Sequence, residues 1–254
     1  MKLPDFSVKD RVAILTGAGR GIGLGIAQAL AAAGAAVAIQ EIELSVAESA
    51  AEEINRAGGR AIALGGDATD VGLAEELVAR TVESLGHLHI LVNNASVQRV
   101  DKFLETPIEE MVRQLNCNVL FATRMCQLSI PHMQRAQWGR VINIGSIQGR
   151  GGNPDMPAYS MSKAAIANLT LGLARKYGRE GITVNCISPG WYITLRNADQ
   201  FPPGTDPNER AKGMPIPRLG TNEDCAGLAV LLCSRAGEYI TGQNIYVDGG
   251  MSAR

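Results

Sequence analysis

Tyr159 and Lys163 stand four positions apart in Tyr159-Ser160-Met161-Ser162-Lys163, at the head of an Ala- and Leu-rich run that predicts a helix over 158–177. Positions i and i+4 share one helix face, so the phenol and the ammonium can point into the same cleft. A free tyrosine ionises near ~10, too high for easy proton exchange at neutral pH. A cation held beside it favours the phenolate and lowers that value. The pair could therefore give a proton to a carbonyl or take one from a hydroxyl. The same spacing also suits an exposed pair on a solvated helix, and the two residues alone do not separate these readings.

What separates them is the set of elements that would place the pair. Val12-Ala13-Ile14-Leu15 is apolar without alternation, as in a strand buried on both faces. Thr16-Gly17-Ala18-Gly19-Arg20-Gly21-Ile22-Gly23 follows at once, and a helix is expected over 24–33. Strand, glycine turn and helix form the context in which a glycine-rich loop binds phosphate. Bare backbone at Gly17, Gly21 and Gly23 lets a pyrophosphate approach, with Arg20 and Ile22 between them, and the helix N-terminus supplies N–H donors. An ordinary strand–helix turn is the competing reading, and four glycines among seven residues argue against it.

A second strand, 36–41, ends in Glu41, about twenty residues past the loop, where a carboxylate can hold the ribose hydroxyls of an adenosine. The same carboxylate repels a 2′-phosphate, so NAD(H) is expected over NADP(H). Arg20 is a counter-signal, since a basic group there could meet that phosphate. The pattern repeats: a helix over 44–56, a strand over 61–64, then Asp67-Ala68-Thr69-Asp70 before a helix over 71–85. Asp67, beside Ala68, could hydrogen-bond an adenine, and Asp70 could cap the helix. Further strands are expected over 90–92, 141–144, 183–187 and 244–247, with helices over 107–134, 158–177 and 224–233. Strands alternating with helices imply one α/β domain over 1–254, a Rossmann-like, doubly wound parallel sheet of about seven strands, with helices on both faces. Ligands bind at the carboxyl ends of such strands. Those ends carry the glycine loop, Glu41, Asp67, Asn94, Ser146 and Pro189-Gly190, which turns the reading of Tyr159 and Lys163 towards chemistry.

Composition excludes several other functions. The formal net charge of −1 leaves no basic footprint for nucleic acid or an anionic membrane, and no apolar run is long enough to span a bilayer. The first ten residues lack a signal-peptide core, so a cytoplasmic protein is expected. Five dispersed cysteines without a Cys-x-x-Cys fit buried thiols better than disulfides or zinc, and no metal site is expected. His87 and His89 would share a face if extended, with no third ligand nearby in sequence.

Taken together, Thr16-Gly17-x-x-x-Gly21-x-Gly23, Asn93-Asn94-Ala95, Ser146, Tyr159-x-x-x-Lys163 and Pro189-Gly190 resemble the short-chain dehydrogenase/reductase family. The resemblance runs through Arg218-Leu219-Gly220, Thr241-Gly242 and Asp248-Gly249-Gly250, and so covers nearly the whole chain. It implies Tyr159 as acid/base, Lys163 as its partner and as a hold on the nicotinamide ribose, and Ser146 as donor to the reacting oxygen. It implies Asn118, rather than the nearby Asn116, as the holder of a proton-relay water. Asn94 and Ala95 would line the adenosine side, and Pro189, Gly190, Ile193 and Thr194 the nicotinamide end. Ser96 replaces a usual glycine and brings a side chain near the cofactor. His89 replaces a frequent aspartate before the fourth strand. A homotetramer through the two long helices and the C-terminal region is also implied.

The expected activity is interconversion of a secondary alcohol and a ketone with NAD. Gln148, Arg150, Asn153, Asn197, Asp199 and Gln200 suggest a small hydroxy or keto substrate rich in hydroxyls: a sugar, polyol or sugar acid. The polar, Pro- and Gly-rich stretch at about 195–217 reads as a substrate flap. An NADPH-dependent 3-oxoacyl-thioester reductase is the alternative enzyme, and a dinucleotide-binding regulator without turnover the alternative from another class.

Overall fold

A computed structural model describes residues 4–100, 103–192 and 206–253. Ile193, Thr194 and the part of the expected flap up to residue 205 lie outside the described residues. The strands are β1 (Val12–Leu15), β2 (Ala36–Glu41), β3 (Arg60–Gly65), β4 (Ile90–Asn93), β5 (Gly139–Ile144), β6 (Ile182–Pro189) and β7 (Asn244–Val247). They form one seven-stranded sheet in the order β3-β2-β1-β4-β5-β6-β7, with every pairing parallel. The chain leaves β3 and crosses back past β1 to β4, so the order reverses beside β1, and a crevice opens there at the strand ends.

Helices cover both faces: α1 (Gly21–Ala32), α2 (Leu44–Arg56), α3 (Leu73–Leu85), α4 (Ile108–Leu115), α5 (Ala122–Arg135), α6 (Gln148–Gly151), α7 (Pro157–Tyr177) and α8 (Asn222–Cys233). Alternation along the strands divides the core. Ala13 and Leu15 pack with Ile26 and Leu30 of α1, Ile54 of α2 and Leu232 of α8. Val12 and Ile14 pack with Leu77 of α3, Met125 and Ile130 of α5 and Ala174 of α7. Burial on both faces is why these strands read as apolar runs rather than as alternations. Helices α1 and α8 lie especially close, and a methyl group at Gly25 would sit 2.8 Å from the Asn222 carbonyl oxygen.

The structure corrects three expectations. The helix expected over 107–134 is not continuous: between α4 and α5 lies a π-helical turn, Asn116–Phe121, with a wider hydrogen-bond register. Asp70 does not cap α3, which begins at Leu73; its Oδ1 accepts the Gly72 N–H at 2.9 Å in the preceding turn. The sequence 206–217 is not wholly irregular, since Pro207–Ala211 forms a short 3-10 helix whose start Asp206 caps through the Asn208 N–H.

Candidate active site

The strand ends border a cleft of about 950 Å³. Of the residues expected at a site, Gly17, Arg20, Gly21, Ile22, Glu41, Asp67, Ala68, Asn94, Ala95, Ser96, Ser146, Tyr159, Lys163, Pro189 and Gly190 all line it. Gly23 and Asn118 stand behind its wall.

The glycine loop owes its shape to long-range hydrogen bonds. Gly17 and Gly21 have φ of +59° and +60°, a region that a Cβ disfavours. A Cβ at Gly17 would lie 2.7 Å from the Ala95 Cα, and one at Gly23 would lie 2.5 Å from the Asn94 amide nitrogen. Asn94 Nδ2 donates to the Gly17 carbonyl at 2.6 Å and to that of Thr16 at 3.1 Å. Thr16 Oγ1 accepts the N–H groups of Asn94 and Ala95, both at 3.1 Å. Asn94 thus works first as a clamp between β1 and β4, besides facing the cleft. Gln40, which the sequence reading did not single out, does the same from β2. Its Oε1 accepts the Gly17 N–H at 2.9 Å, and its Nε2 donates to the Gly66 carbonyl at 2.7 Å. A buried amide inside an otherwise apolar strand was the available signal.

The N-terminus of α1 has no side-chain cap and no acidic residue in its first turn, and it opens on the cleft. A helix start left in that state carries N–H donors and a positive dipole end suited to phosphate. At the far side of the loop, Glu41 is 9% exposed, and its carboxylate accepts the N–H groups of Gly19 at 3.3 Å and Ile42 at 3.0 Å. Arg20 is paired with Glu43 at 3.2 Å on the exposed rim. The loop, the open helix end and the carboxylate fit the diphosphate and adenosine ribose of a dinucleotide.

At the other half of the cleft, Lys163 is only 3% exposed. Its Nζ donates to the Ile144 carbonyl at 2.8 Å and lies 5.5 Å from the centroid of the Tyr159 ring. A surface ion pair is therefore not what the Tyr–Lys spacing encodes here. Ser146, at the end of β5, accepts the Gln148 N–H at 3.2 Å. The end of β5 and the start of α7 thus meet at one place: Ile144 at the end of β5 and Ser146 just after it, with Tyr159 and Lys163 on α7.

Asn118 lies in the π-helical turn between α4 and α5. It is the buried member of the Asn116/Asn118 pair, and its side-chain amide is fully engaged. Oδ1 accepts the Val97 N–H at 2.8 Å, while Nδ2 donates to the Val97 carbonyl at 2.9 Å and to Ser162 Oγ at 3.0 Å. Ser162 Oγ in turn donates to the Tyr159 carbonyl at 2.7 Å. The π-helical turn is what presents Asn118 to both segments. Its side chain braces the segment after β4 against the first turn of α7.

Glu43, Asp155, Cys117 and Tyr192 also line the cleft, whereas His89 does not. His89 accepts the Val12 N–H on Nδ1 at 3.1 Å, doing the work of a carboxylate acceptor; burial, then Arg11, then His87 hold its imidazole down to about 4. All five cysteines are buried thiols outside any disulfide, with burial pushing Cys126 and Cys233 up to about 12. No group of three or more potential metal ligands occurs among the described residues, and no described helix is long and apolar enough to cross a membrane.

A family model described as enoyl-(acyl carrier protein) reductase matches residues 17–252. An L-rhamnose 1-dehydrogenase (NAD(P)(+)) of Sphingomonas is 33% identical over 81% of this chain and 81% of the relative. Among solved structures, a 3-oxoacyl (acyl-carrier-protein) reductase of Agrobacterium tumefaciens with NADP bound superposes with a TM-score of 0.91 at 33% identity, covering 96% of this chain and 95% of that one. A Beutenbergia cavernae structure assigned as an NAD(P)-dependent gluconate 5-dehydrogenase, with NADP at low occupancy, gives 0.88 at 34% identity, covering 98% and 100%.

Proposed function

This chain belongs to the short-chain dehydrogenase/reductase family, and from that premise we propose that it is an NAD(H)-dependent oxidoreductase interconverting a secondary alcohol and a ketone on a small, hydroxyl-rich substrate. An NAD(P)-dependent oxidoreductase acting on CH–OH groups is common ground with its relatives. The observation that carries the reading is the burial of Lys163 beside Tyr159 in the cleft onto which the uncapped α1 also opens.

The nicotinamide cofactor, when bound, exchanges hydride with the carbinol carbon. The chain's own residues do the rest. In oxidation the Tyr159 oxygen acts as the phenolate, whose negative charge the Lys163 ammonium stabilises, and takes the hydroxyl proton to become the neutral phenol. Ser146 Oγ–H donates to the same substrate oxygen, a fixed dipole aimed at developing charge. The Ile144 carbonyl holds Lys163 in place. Asn118 enters as a positioning residue, acting on the first turn of α7 through Ser162. At the other end, Gly17 to Gly23 and the α1 N-terminus would take the pyrophosphate, Glu41 the adenosine ribose and Asp67 the adenine edge. Ala68, Asn94, Ala95 and Ser96 would flank the adenosine side, with Pro189 and Gly190 beneath the nicotinamide.

NAD is favoured over NADP because a 2′-phosphate would meet Glu41, with Glu43 already on Arg20. The NADPH-dependent 3-oxoacyl-thioester reductase reading rests on Arg20 turning from Glu43 to that phosphate. Comparing the dissociation constants of NADH and NADPH decides between them: tighter NADH supports the proposal, and equal or tighter NADPH overturns it. Following NADH formation with a panel of polyols, sugars, sugar acids and secondary alcohols tests the reaction itself.

We further propose a homotetramer. Ile108 and Val112 of α4, Leu120 of the π-helical turn and Met161 and Leu171 of α7 are exposed apolar residues on the two helices expected at an interface. Exposed apolar area of this kind suits burial against a second copy. Light scattering that shows a stable monomer at micromolar concentration overturns the assembly and leaves the catalytic reading standing.

A further inference from the structure

Resting on the dehydrogenase reading above, we infer that the substrate is an uncharged polyhydroxylated molecule, a sugar or polyol, and that Asp155 selects against its carboxylate counterpart. Beyond Ser146 and Tyr159 the cleft wall is formed by Gln98, Gln148, Asn153, Asp155 and Trp191. Among the described residues of that half, the Asp155 carboxylate is the one full charge apart from Lys163, and the Lys163 ammonium is buried and engaged with Ile144.

The two nearby guanidiniums are directed elsewhere. Arg150 lies over the Tyr246 ring, 5.9 Å from its centroid, and is not part of the cleft wall. Arg99 lies close enough to Glu110 for its charge to act on that carboxylate.

The chemistry of the wall matches hydroxyls. An ionised carboxylate is an acceptor with about four lone-pair sites and can take two O–H donors side by side, as a vicinal diol presents them. The amides of Gln98 and Gln148 both donate and accept, as a hydroxyl does. The Asp155 carboxylate, exposed at the mouth of the cleft, and the half-buried Gln148 amide make no hydrogen bond to any described residue. The turn that carries Asp155 is itself fixed, with Asn153 Oδ1 accepting the Asp155 N–H at 2.9 Å and Ser160 Oγ accepting the Asn153 N–H at 3.0 Å. Trp191, partly exposed on the opposite lip, offers a flat apolar surface to the C–H face of a sugar ring. A substrate carboxylate passing the mouth of the cleft would meet a like charge, a repulsion softened there by solvent but absent for a neutral substrate.

The test uses matched pairs, each an aldose or polyol and the aldonate of the same carbon skeleton and configuration, with saturating NAD. The expected result is a kcat/KM about two- to fivefold higher for the neutral member, since a like-charge contact at an exposed carboxylate is screened by solvent. Asp155→Asn should narrow that gap and Asp155→Lys should invert it, with NAD affinity unchanged in both. Aldonates oxidised as well as their neutral partners, or a preference that survives Asp155→Lys in a variant with wild-type circular dichroism, overturn the inference alone. Oxidation of simple secondary alcohols without either sugar class also overturns it alone. Oxidation of none of these, with NAD still bound, overturns the dehydrogenase reading and the inference with it.

Discussion

The two rims of the sheet collect similar polar and aromatic residues and use them in opposite ways. At the amino ends of the strands, Trp138 lies between the guanidiniums of Arg11, at 4.0 Å from the ring centroid, and Arg140, at 4.2 Å. The His89 ring meets the same indole edge-on at 6.1 Å. Arg140 Nη1 donates to the Gly139 and Gly181 carbonyls, and His89 accepts from Val12. These groups answer one another and the backbone. At the carboxyl ends, Ser146, Tyr159 and Glu41 keep faces turned to a cleft, while Thr16 and Asn118 stand behind them as braces and Gln40, itself in the wall, braces the glycine loop. Residue type therefore says little about function in this molecule. What distinguishes the rims is whether a polar group's partner is protein or open space.

If that contrast holds, substitutions at the carboxyl rim remove activity and spare the fold, and those at the amino rim do the reverse. Tyr159→Phe carries the largest expected effect. It keeps the ring and its packing, and turnover should fall by about 10²–10⁴, the usual weight of a general acid/base. NAD affinity and the denaturation midpoint should stay at wild-type values, and a variant that turns over normally would move the proton path elsewhere.

His89 provides the counterpart. An unfolded histidine protonates near ~6.5, whereas this one resists until about 4. Between those values the unfolded state binds the extra proton, so the contribution is complete above ~6.5 and is lost as pH falls towards 4. The loss is at most about 3 kcal/mol, one pKa unit being worth about 1.4 kcal/mol. Urea denaturation from pH 7 to pH 4.5 should show a steeper decline for wild type than for His89→Asn, with kcat at pH 7 unchanged by the substitution. Equal slopes would remove His89 from the account.

Glu41→Ala should change the NADH-to-NADPH affinity ratio by about tenfold, within the range expected when one partly buried like charge is relieved. Equilibrium titration of both cofactors measures it, and an unchanged ratio would mean that Glu41 serves only the Gly19 and Ile42 amides.

The smallest effect belongs to Asp224. It closes a capping box with Thr221 at the start of α8 and pairs with Arg218 at 2.7 and 2.8 Å, contacts that hold its carboxyl down to about 2. Asp224→Ala should cost about 1 kcal/mol of stability and leave turnover intact. A loss of activity without a loss of stability would break the distinction between cap and site.

Much of this arrangement was legible in the sequence, because strands buried on both faces and glycines of fixed spacing leave local signatures. The glycine loop, Glu41, Ser146, Tyr159 and Lys163 are of that kind. The rest depends on partners far apart in the chain. Thr16 holds Asn94, and Gln40 ties Gly17 to Gly66, through hydrogen bonds without a sequence period. The π-helical turn at Asn116–Phe121 left no compositional mark on a tract that reads as one helix. Nor could residue type show that Asn118 would have its amide occupied by Val97 and Ser162, or that His89 would serve as a backbone acceptor.

The close seating of α1 against α8 has a consequence for how the molecule is made. The surface against which Gly25 fits, at Asn222 on α8, is synthesised about 200 residues after the helix whose start would hold the pyrophosphate. On the ribosome, the first strands and helices can pair with one another while the apolar flank of α1 stays uncovered. A contact joining such distant stretches raises the mean sequence separation that slows folding. Until α8 emerges the nascent chain therefore carries a sticky, half-finished nucleotide fold, and a stop shortly before α8 would leave a polypeptide prone to aggregate rather than a smaller binding protein.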